Sequence, residues 1–207
     1  MRITVFGATG GTGKQLVRQA LDAGHAVTAV VRDPARLPIQ ADNLTTLTAD
    51  VFDPAALEPA VSGADRVVSA LGAKPNAKTP VRARAAEAIV AAMQASGSRR
   101  LVVVTSAGHI PDAADSFLTK ALVKPLIRTL MASQLDDYAR TDAAVSGSAL
   151  DWTIVRPGWL NNGAHRAYRT SLDHGNPGAN SISRYDLADF LLSADDSTIG
   201  HAVFIGY

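Results

Sequence analysis

A short, mostly β-branched run, Arg2-Ile3-Thr4-Val5-Phe6, leads directly into Gly7-Ala8-Thr9-Gly10-Gly11-Thr12-Gly13. A stretch with Leu16, Val17, Ala20 and Leu21 on one helical face follows. No other feature limits the fold of this chain so tightly. Strand, glycine turn and helix in that order predict the opening of a βαβ unit, with Gly24 ending the helix and Ala26 to Val31 forming the second strand. The spacing Gly-x-x-Gly-x-x-Gly gives each glycine its own use. Gly7 permits a sharp turn, Gly10 lets backbone approach phosphates closely, and Gly13 lets the helix pack tightly on the strand. The amides at the helix start then face an anion that the helix dipole favours. Glycine also serves ordinary turns; the flanking strand and helix are what turn the run into a dinucleotide signature.

Composition sets the outer bounds. At 207 residues and 47% hydrophobic, the sequence suits a single domain over 1–207, with little room for a second. A formal charge of +1 supplies no field for nucleic acid or a membrane surface. The absence of cysteine removes disulfides, thiolate catalysis and most structural zinc sites, and fits a cytoplasmic setting. No apolar run reaches transmembrane length, and the N-terminus opening into strand one leaves no space for a signal peptide.

Strand and helix signals alternate to the end, predicting an α/β, Rossmann-like, doubly wound parallel sheet with a small C-terminal substrate-side region. Strands are expected at Leu44 to Thr48, Arg66 to Leu71, Arg100 to Thr105, Trp152 to Val155 and Ala202 to Ile205. Pro54 opens a short helix ending near Gly63. Thr79 and Pro80 supply an N-cap and first-turn proline for a helix that stops near Gly97. Ser133, with Asp136 at the capping-box position, starts a helix to about Ser146, and another covers Tyr185 to Leu192. Between Asn161 and Asn180 few core residues occur, so this stretch reads as a binding rim or mobile loop.

In an open parallel sheet, ligands lie beyond the carboxyl ends of the strands. Those ends carry the glycine loop, Arg32, Asp50-Val51, Leu71-Gly72, Thr105-Ser106 and Pro157-Gly158-Trp159. Arg32 suits the 2′-phosphate of NADP where a carboxylate would select NAD. Arg36 offers a second contact, while Asp33 is a pairing partner for either arginine. Asp50 either fixes the adenine amino group or caps the helix at Pro54. Ser106 places a hydroxyl where the nicotinamide should lie. Tyr138 and Asp142 share a helical face with Leu135 and Ala139, so Tyr138 is either a neutral donor in the cleft or core packing. Trp159 lines a ring-binding pocket or belongs to the core. Lys120, Lys124 and Arg128 form a stripe that reads as a solvated helix face. His109, His165 and His174 lack metal-ligand spacing.

Taken together, Gly-Ala-Thr-Gly-x-Thr-Gly at Gly7 to Gly13, Val31-Arg32-Asp33, Gly63-x-Asp65, Thr105-Ser106-Ala107, Leu150 to Gly158 and Ile182 to Ala188 resemble the atypical short-chain dehydrogenase/reductase group, nearly end to end. Within it, Arg36-Leu37-Pro38, Asp50-Val51, Ile89 to Met93 and Tyr168 to Asp173 are most similar to the flavin reductase/biliverdin reductase B type. The resemblance implies NADPH as reductant, contacts from Gly7, Thr9, Gly10, Gly11, Thr12, Arg32, Arg36, Asp50, Val51, Leu71 and Gly72, and Ser106 beside the reacting ring. The Tyr-x-x-x-Lys pair of ordinary members is missing, and Tyr138 and Trp159 stand where the flavin/biliverdin type tends to have histidine. The expectation is therefore NADPH-dependent hydride transfer to a conjugated small molecule such as a flavin or quinone, by a monomer or weak homo-oligomer. A non-catalytic NADP(H) sensor is the alternative, and a sugar epimerase or dehydratase a more distant one.

Overall fold

The computed structural model describes residues 1–72, 80–107 and 132–207. Its first strand, β1 (Arg2–Phe6), pairs in parallel with β2 (Ala26–Val31) on one side and β4 (Arg66–Ser69) on the other. Beyond β2 lies β3 (Leu44–Thr48); beyond β4 lie β5 (Arg100–Val104), β6 (Asp151–Pro157) and β10 (His201–Gly206), all parallel. With β8 (Arg169–Leu172) at the far edge, the eight-stranded order β3-β2-β1-β4-β5-β6-β10-β8 reverses direction between β1 and β4. That reversal opens a crevice beyond the carboxyl ends, as in other doubly wound sheets.

Alternation along each strand sends side chains to two separate cores. Ile3 and Val5 of β1 and Val102 of β5 face helices α1 (Gly11–Asp22) and α5 (Arg184–Ser193). Phe6, Leu101 and Val103 face α2 (Pro54–Val61), α3 (Val81–Ser96) and Val145 of α4 (Ala132–Ser146). Of the predicted apolar stripe of α1, Leu16, Val17 and Ala20 are fully buried and Leu21 packs partly buried against the same core. Gly24 and Gly97, in the left-handed region at φ 76 each, follow their helices as expected.

Several sequence expectations are corrected. Residues 161–180 are not one loop. β8 (Arg169–Leu172) runs antiparallel to β10 at the sheet edge, so the sheet is mostly rather than wholly parallel. A separate ribbon pairs β7 (Trp159–Asn161) with β9 (Ser181–Ser183). Polar Arg169-Thr170-Ser171 gives no apolar pattern because an edge strand with mostly exposed side chains needs none. Pro80 is itself the N-cap of α3 and provides no side-chain bond; Thr79 lies outside the described residues. Ser133 is already within α4, and Asp136 pairs with Arg140 one turn on at 2.8 Å instead of capping. The stripe Lys120, Lys124, Arg128 and also His109 lie outside the described residues.

Candidate functional site

Gly7 turns at φ +81, and a Cβ there would lie 2.5 Å from the Ala70 carbonyl oxygen. The turn after β1 thus nests against the end of β4, beside Leu71, at the point where strand order reverses. A Cβ on Gly13 would lie 2.2 Å from the Gly7 carbonyl oxygen, so the first turn of α1 rests on the loop itself. The Gly10 amide donates to the Gly7 carbonyl at 2.9 Å and locks the turn. Gly10 is also the N-cap of α1, with no side-chain cap, and the first turn holds no acid. Amides of a helix start left in this state accept an anion readily. Thr9 is half-buried in the same loop, and Thr12 is buried in the first helical turn. This loop fits a dinucleotide diphosphate: its curvature and its helix packing both require missing Cβ atoms.

The adjoining strand ends supply the rest of the crevice. Arg32 and Arg36 are exposed just beyond β2. Asp33 pairs with neither; its carboxylate accepts from the Ala35 amide at 3.1 Å and caps the short 3-10 turn Pro34–Arg36. Beyond β3, the Asp50 carboxylate accepts from the Phe52 amide at 3.0 Å, and the cap of α2 is Asp53, not Asp50. Asp50 remains exposed at the rim, with Val51 packed half-buried on the core below. Leu71 likewise leans on that core, while Gly72 is exposed beside it. The ends of β5 and β6 lie together, since the Thr105 amide donates to the Val155 carbonyl at 2.8 Å. Ser106 follows, half-buried, and Pro157 is buried at the end of β6. Among the described residues, the buried Thr105 hydroxyl has no hydrogen-bond partner.

Tyr138 and Asp142 each meet an arginine. The Arg82 guanidinium lies 4.2 Å above the Tyr138 ring, and Asp142 accepts from Arg156 at 2.7 Å. The face expected to join them to Leu135 and Ala139 is not the buried one: the buried stripe of α4 is Asp137, Thr141, Asp142 and Val145, and Ala139 is exposed. Trp159 is 71% exposed, which removes the core reading and leaves a bare indole beside the end of β6.

Three residues that sequence reasoning missed stand at this end. Arg184, the first residue of α5, runs across Gly11 and donates to the Asn162 side chain at 2.8 Å. Asp186 is fully buried and gathers Ser183 Oγ at 2.8 Å, His165 Nδ1 at 2.6 Å, the Arg166 amide at 3.2 Å and the Tyr207 hydroxyl. Burial alone would push the Asp186 carboxyl up, but those hydrogen bonds together hold it below the usual carboxylate range. Ser183 and Asp186 have capping spacing, the one signal that could have singled them out. The His174 carbonyl accepts from Ser171.

A cleft of about 570 Å³ opens at the opposite end, between the amino ends of β1, β4, β5 and β6, and is lined by Arg2, Arg66, Arg99 and Arg100. Its arginines are already engaged. Arg66 donates to the Leu191 and Ala194 carbonyls at the end of α5, at 3.1 and 2.5 Å. Arg100 holds the Thr153 and Thr198 hydroxyls at 2.9 and 3.0 Å, and Arg99 forks onto Asp151. Burial, with Arg66 nearby, pushes Arg100 down to about 10, so it remains a cation at neutral pH. In doubly wound sheets ligands lie at the other, carboxyl ends of the strands.

The model of the NAD(P)H-binding family matches residues 7–197. YwnB of Bacillus subtilis (strain 168) is 27% identical over 205 residues, 95% of this chain and 91% of its own. Quinone oxidoreductase 2 of Escherichia coli (strain K12) is 24% identical over 176 residues, 84% of this chain and 54% of that protein. A short-chain dehydrogenase/reductase of Veillonella parvula DSM 2008, solved in complex with NADP, superposes with a TM-score of 0.81 at 24% identity, covering 100% of this chain and 94% of that one. Among the described residues, no helix is long and apolar enough to cross a membrane.

Proposed function

Because the chain belongs to the NAD(P)H-binding family, we propose that it is an NADPH-dependent reductase acting on a conjugated small molecule such as a flavin or quinone. Arg32 carries the choice of cofactor. It is exposed at the end of β2, and the one carboxylate beside it, Asp33, is turned onto the Ala35 amide. That position therefore offers a guanidinium fork to a 2′-phosphate, while the carboxylate next to it is held by its own turn. The NADP held by the Veillonella protein agrees with this reading.

The bound cofactor supplies hydride, and a conjugated acceptor holds the incoming charge by delocalisation. What the chain contributes is orientation. Ser106, half-buried after β5, donates a hydrogen bond to the carboxamide or the acceptor. Trp159 offers a flat apolar wall for the acceptor ring, and Tyr138, held beneath Arg82, a hydroxyl. No tyrosine in the sequence has lysine four residues later, which favours acceptors that need no proton relay at a carbonyl oxygen. The E. coli relative is named a quinone oxidoreductase, in keeping with that acceptor class. The reading takes the protein as a cytoplasmic monomer or weak homo-oligomer that binds neither nucleic acid nor membrane.

Loss of NADPH absorbance with FMN, a quinone or dichlorophenolindophenol tests the proposal. Turnover with at least one acceptor is expected, falling steeply in Ser106→Ala. Trp159→Ala should raise KM for the acceptor while leaving stability within about 0.5 kcal/mol, the usual range for an exposed side chain. Calorimetry should show NADPH bound more tightly than NADH, with the preference erased in Arg32→Ala. Equal affinity for the two coenzymes overturns the cofactor assignment. Tight NADPH binding with no turnover on any acceptor favours a sensor.

A further inference from the structure

We infer that Arg184 is a diphosphate clamp: its guanidinium exchanges the Asn162 side chain for the cofactor's diphosphate when a nucleotide enters at the start of α1. The inference rests on the nucleotide-binding reading above and assigns that site a residue from the far end of the chain.

The geometry is specific. A Cβ on Gly11 would lie 2.6 Å from Arg184 Cδ and 2.8 Å from its Nε, so the arginine lies directly on the bare Cα of Gly11. Its Nη1 donates to Asn162 Oδ1 at 2.8 Å. The side chain thus spans from the first turn of α1 to the segment just beyond β7, across the mouth of the glycine loop. Its base is fixed, because Ser183 and Asp186 on either side are both fully buried. Its tip is not neutralised: among the described residues Arg184 contacts no carboxylate, unlike Arg82, Arg99 and Arg156, which each pair with an aspartate.

A cation that, among the described residues, bonds a neutral amide has little to lose by moving to an anion. Charge-assisted bonds to phosphate are about twice as strong as neutral ones, and the planar fork meets two oxygens together. The open amides of α1 and the guanidinium then act on the same charge from two sides. Gly11 thereby has its own reason to lack a side chain, since a Cβ there would displace the arginine.

The test separates the two phosphate subsites. ADP carries the diphosphate alone and 2′-AMP the 2′-phosphate alone, and each is titrated into the full chain by calorimetry. Arg184→Gln should weaken ADP about tenfold or more, the loss expected for a charged hydrogen bond, and change 2′-AMP by less than about twofold. Arg32→Ala should do the reverse. Arg184→Lys, which keeps charge without the fork, should fall between. Gly11→Ala should also weaken ADP, and its loss should not add to that of Arg184→Gln in the double variant. Should Arg184→Gln fold poorly, Arg184→Lys and Gly11→Ala decide the matter. Undiminished ADP affinity in the Arg184 variants overturns the clamp and leaves the residue a tie to Asn162. A wild-type chain that binds neither ADP nor NADPH sinks the nucleotide reading instead.

Discussion

The Asp137 carboxylate of α4 lies 2.9 Å from the backbone amide of Ala83 in α3. It also accepts from the Arg82 amide at 3.1 Å and the Arg82 guanidinium at 3.2 Å. One helix therefore caps another. Pro80, the N-cap of α3, has no side chain able to bond the first amides, so an acid 54 or 55 positions further along supplies what the local sequence lacks. Because Arg82 in turn covers the Tyr138 ring at 4.2 Å, this contact also helps hold the tyrosine in place.

Removing that carboxylate should be costly. Arg82 and Asp137 are only 8% and 4% exposed, and breaking a buried pair strands the remaining charge at about 3–5 kcal/mol. Asp137→Ala is expected to lower the urea midpoint by that order, with Asp137→Asn milder because it keeps one acceptor for an amide. A loss below about 1 kcal/mol, the scale of an exposed pair, would contradict the capping role.

A second expectation separates two glycines that look alike in the sequence. Alanine is normally favoured over glycine inside a helix by about 1 kcal/mol. At Gly13, however, its Cβ would lie 2.2 Å from the Gly7 carbonyl oxygen and 2.9 Å from Ala8 Cα, both backbone atoms. Gly13→Ala should thus destabilise by about 2–3 kcal/mol, as overpacking does, and weaken nucleotide binding as the loop is pushed open. Gly24 sits at φ +76 with open space around it. Gly24→Ala should cost only the left-handed backbone penalty of about 1–2 kcal/mol, with nucleotide affinity retained. Melting and calorimetry on the pair would show whether loop closure, rather than glycine content, holds the site.

The sequence revealed the half of the fold whose signals are local. β1 and β2 fall at the expected residues because a parallel strand inside the sheet needs an unbroken apolar or β-branched run, and β3, at the edge and mostly exposed, is marked by its β-branched threonines between turn residues. The same logic put Arg32, Asp50, Leu71, Ser106 and Trp159 at strand ends on one side of the sheet. It failed where partners are distant. Nothing near Asp137 announces an unfilled cap on α3, and the helical spacing of Tyr138 and Asp142 points to a shared face without saying which face is buried. Arg184 was visible only as part of a helix entry, since its contact with Gly11 exists once α1 and α5 pack together. The polar strand β8 carries no apolar stripe because the end of the sheet asks for none.

Acid should loosen the C-terminal side through Asp186. Its carboxylate is fully buried, and burial on its own would favour the protonated form. Bonds from Tyr207, His165, Ser183 and the Arg166 amide outweigh that cost and hold the group below the usual range. A carboxyl depressed in the folded state adds stability above its unfolded value of about 3.9, and that contribution drains away as pH falls through the folded value. The melting temperature of the wild type should therefore drop below about pH 4. Asp186→Asn should begin lower at neutral pH, having lost its charge-assisted bonds at about 1.5–3 kcal/mol, and should lose less on acidification, so that the two curves converge. Other depressed carboxyls, Asp151 and Asp173 among them, titrate alike in both proteins and cancel in the difference. Parallel curves down to pH 3 would mean that Asp186 carries no acid-sensitive stability, and that the segment from His165 to Arg166 is held by other contacts.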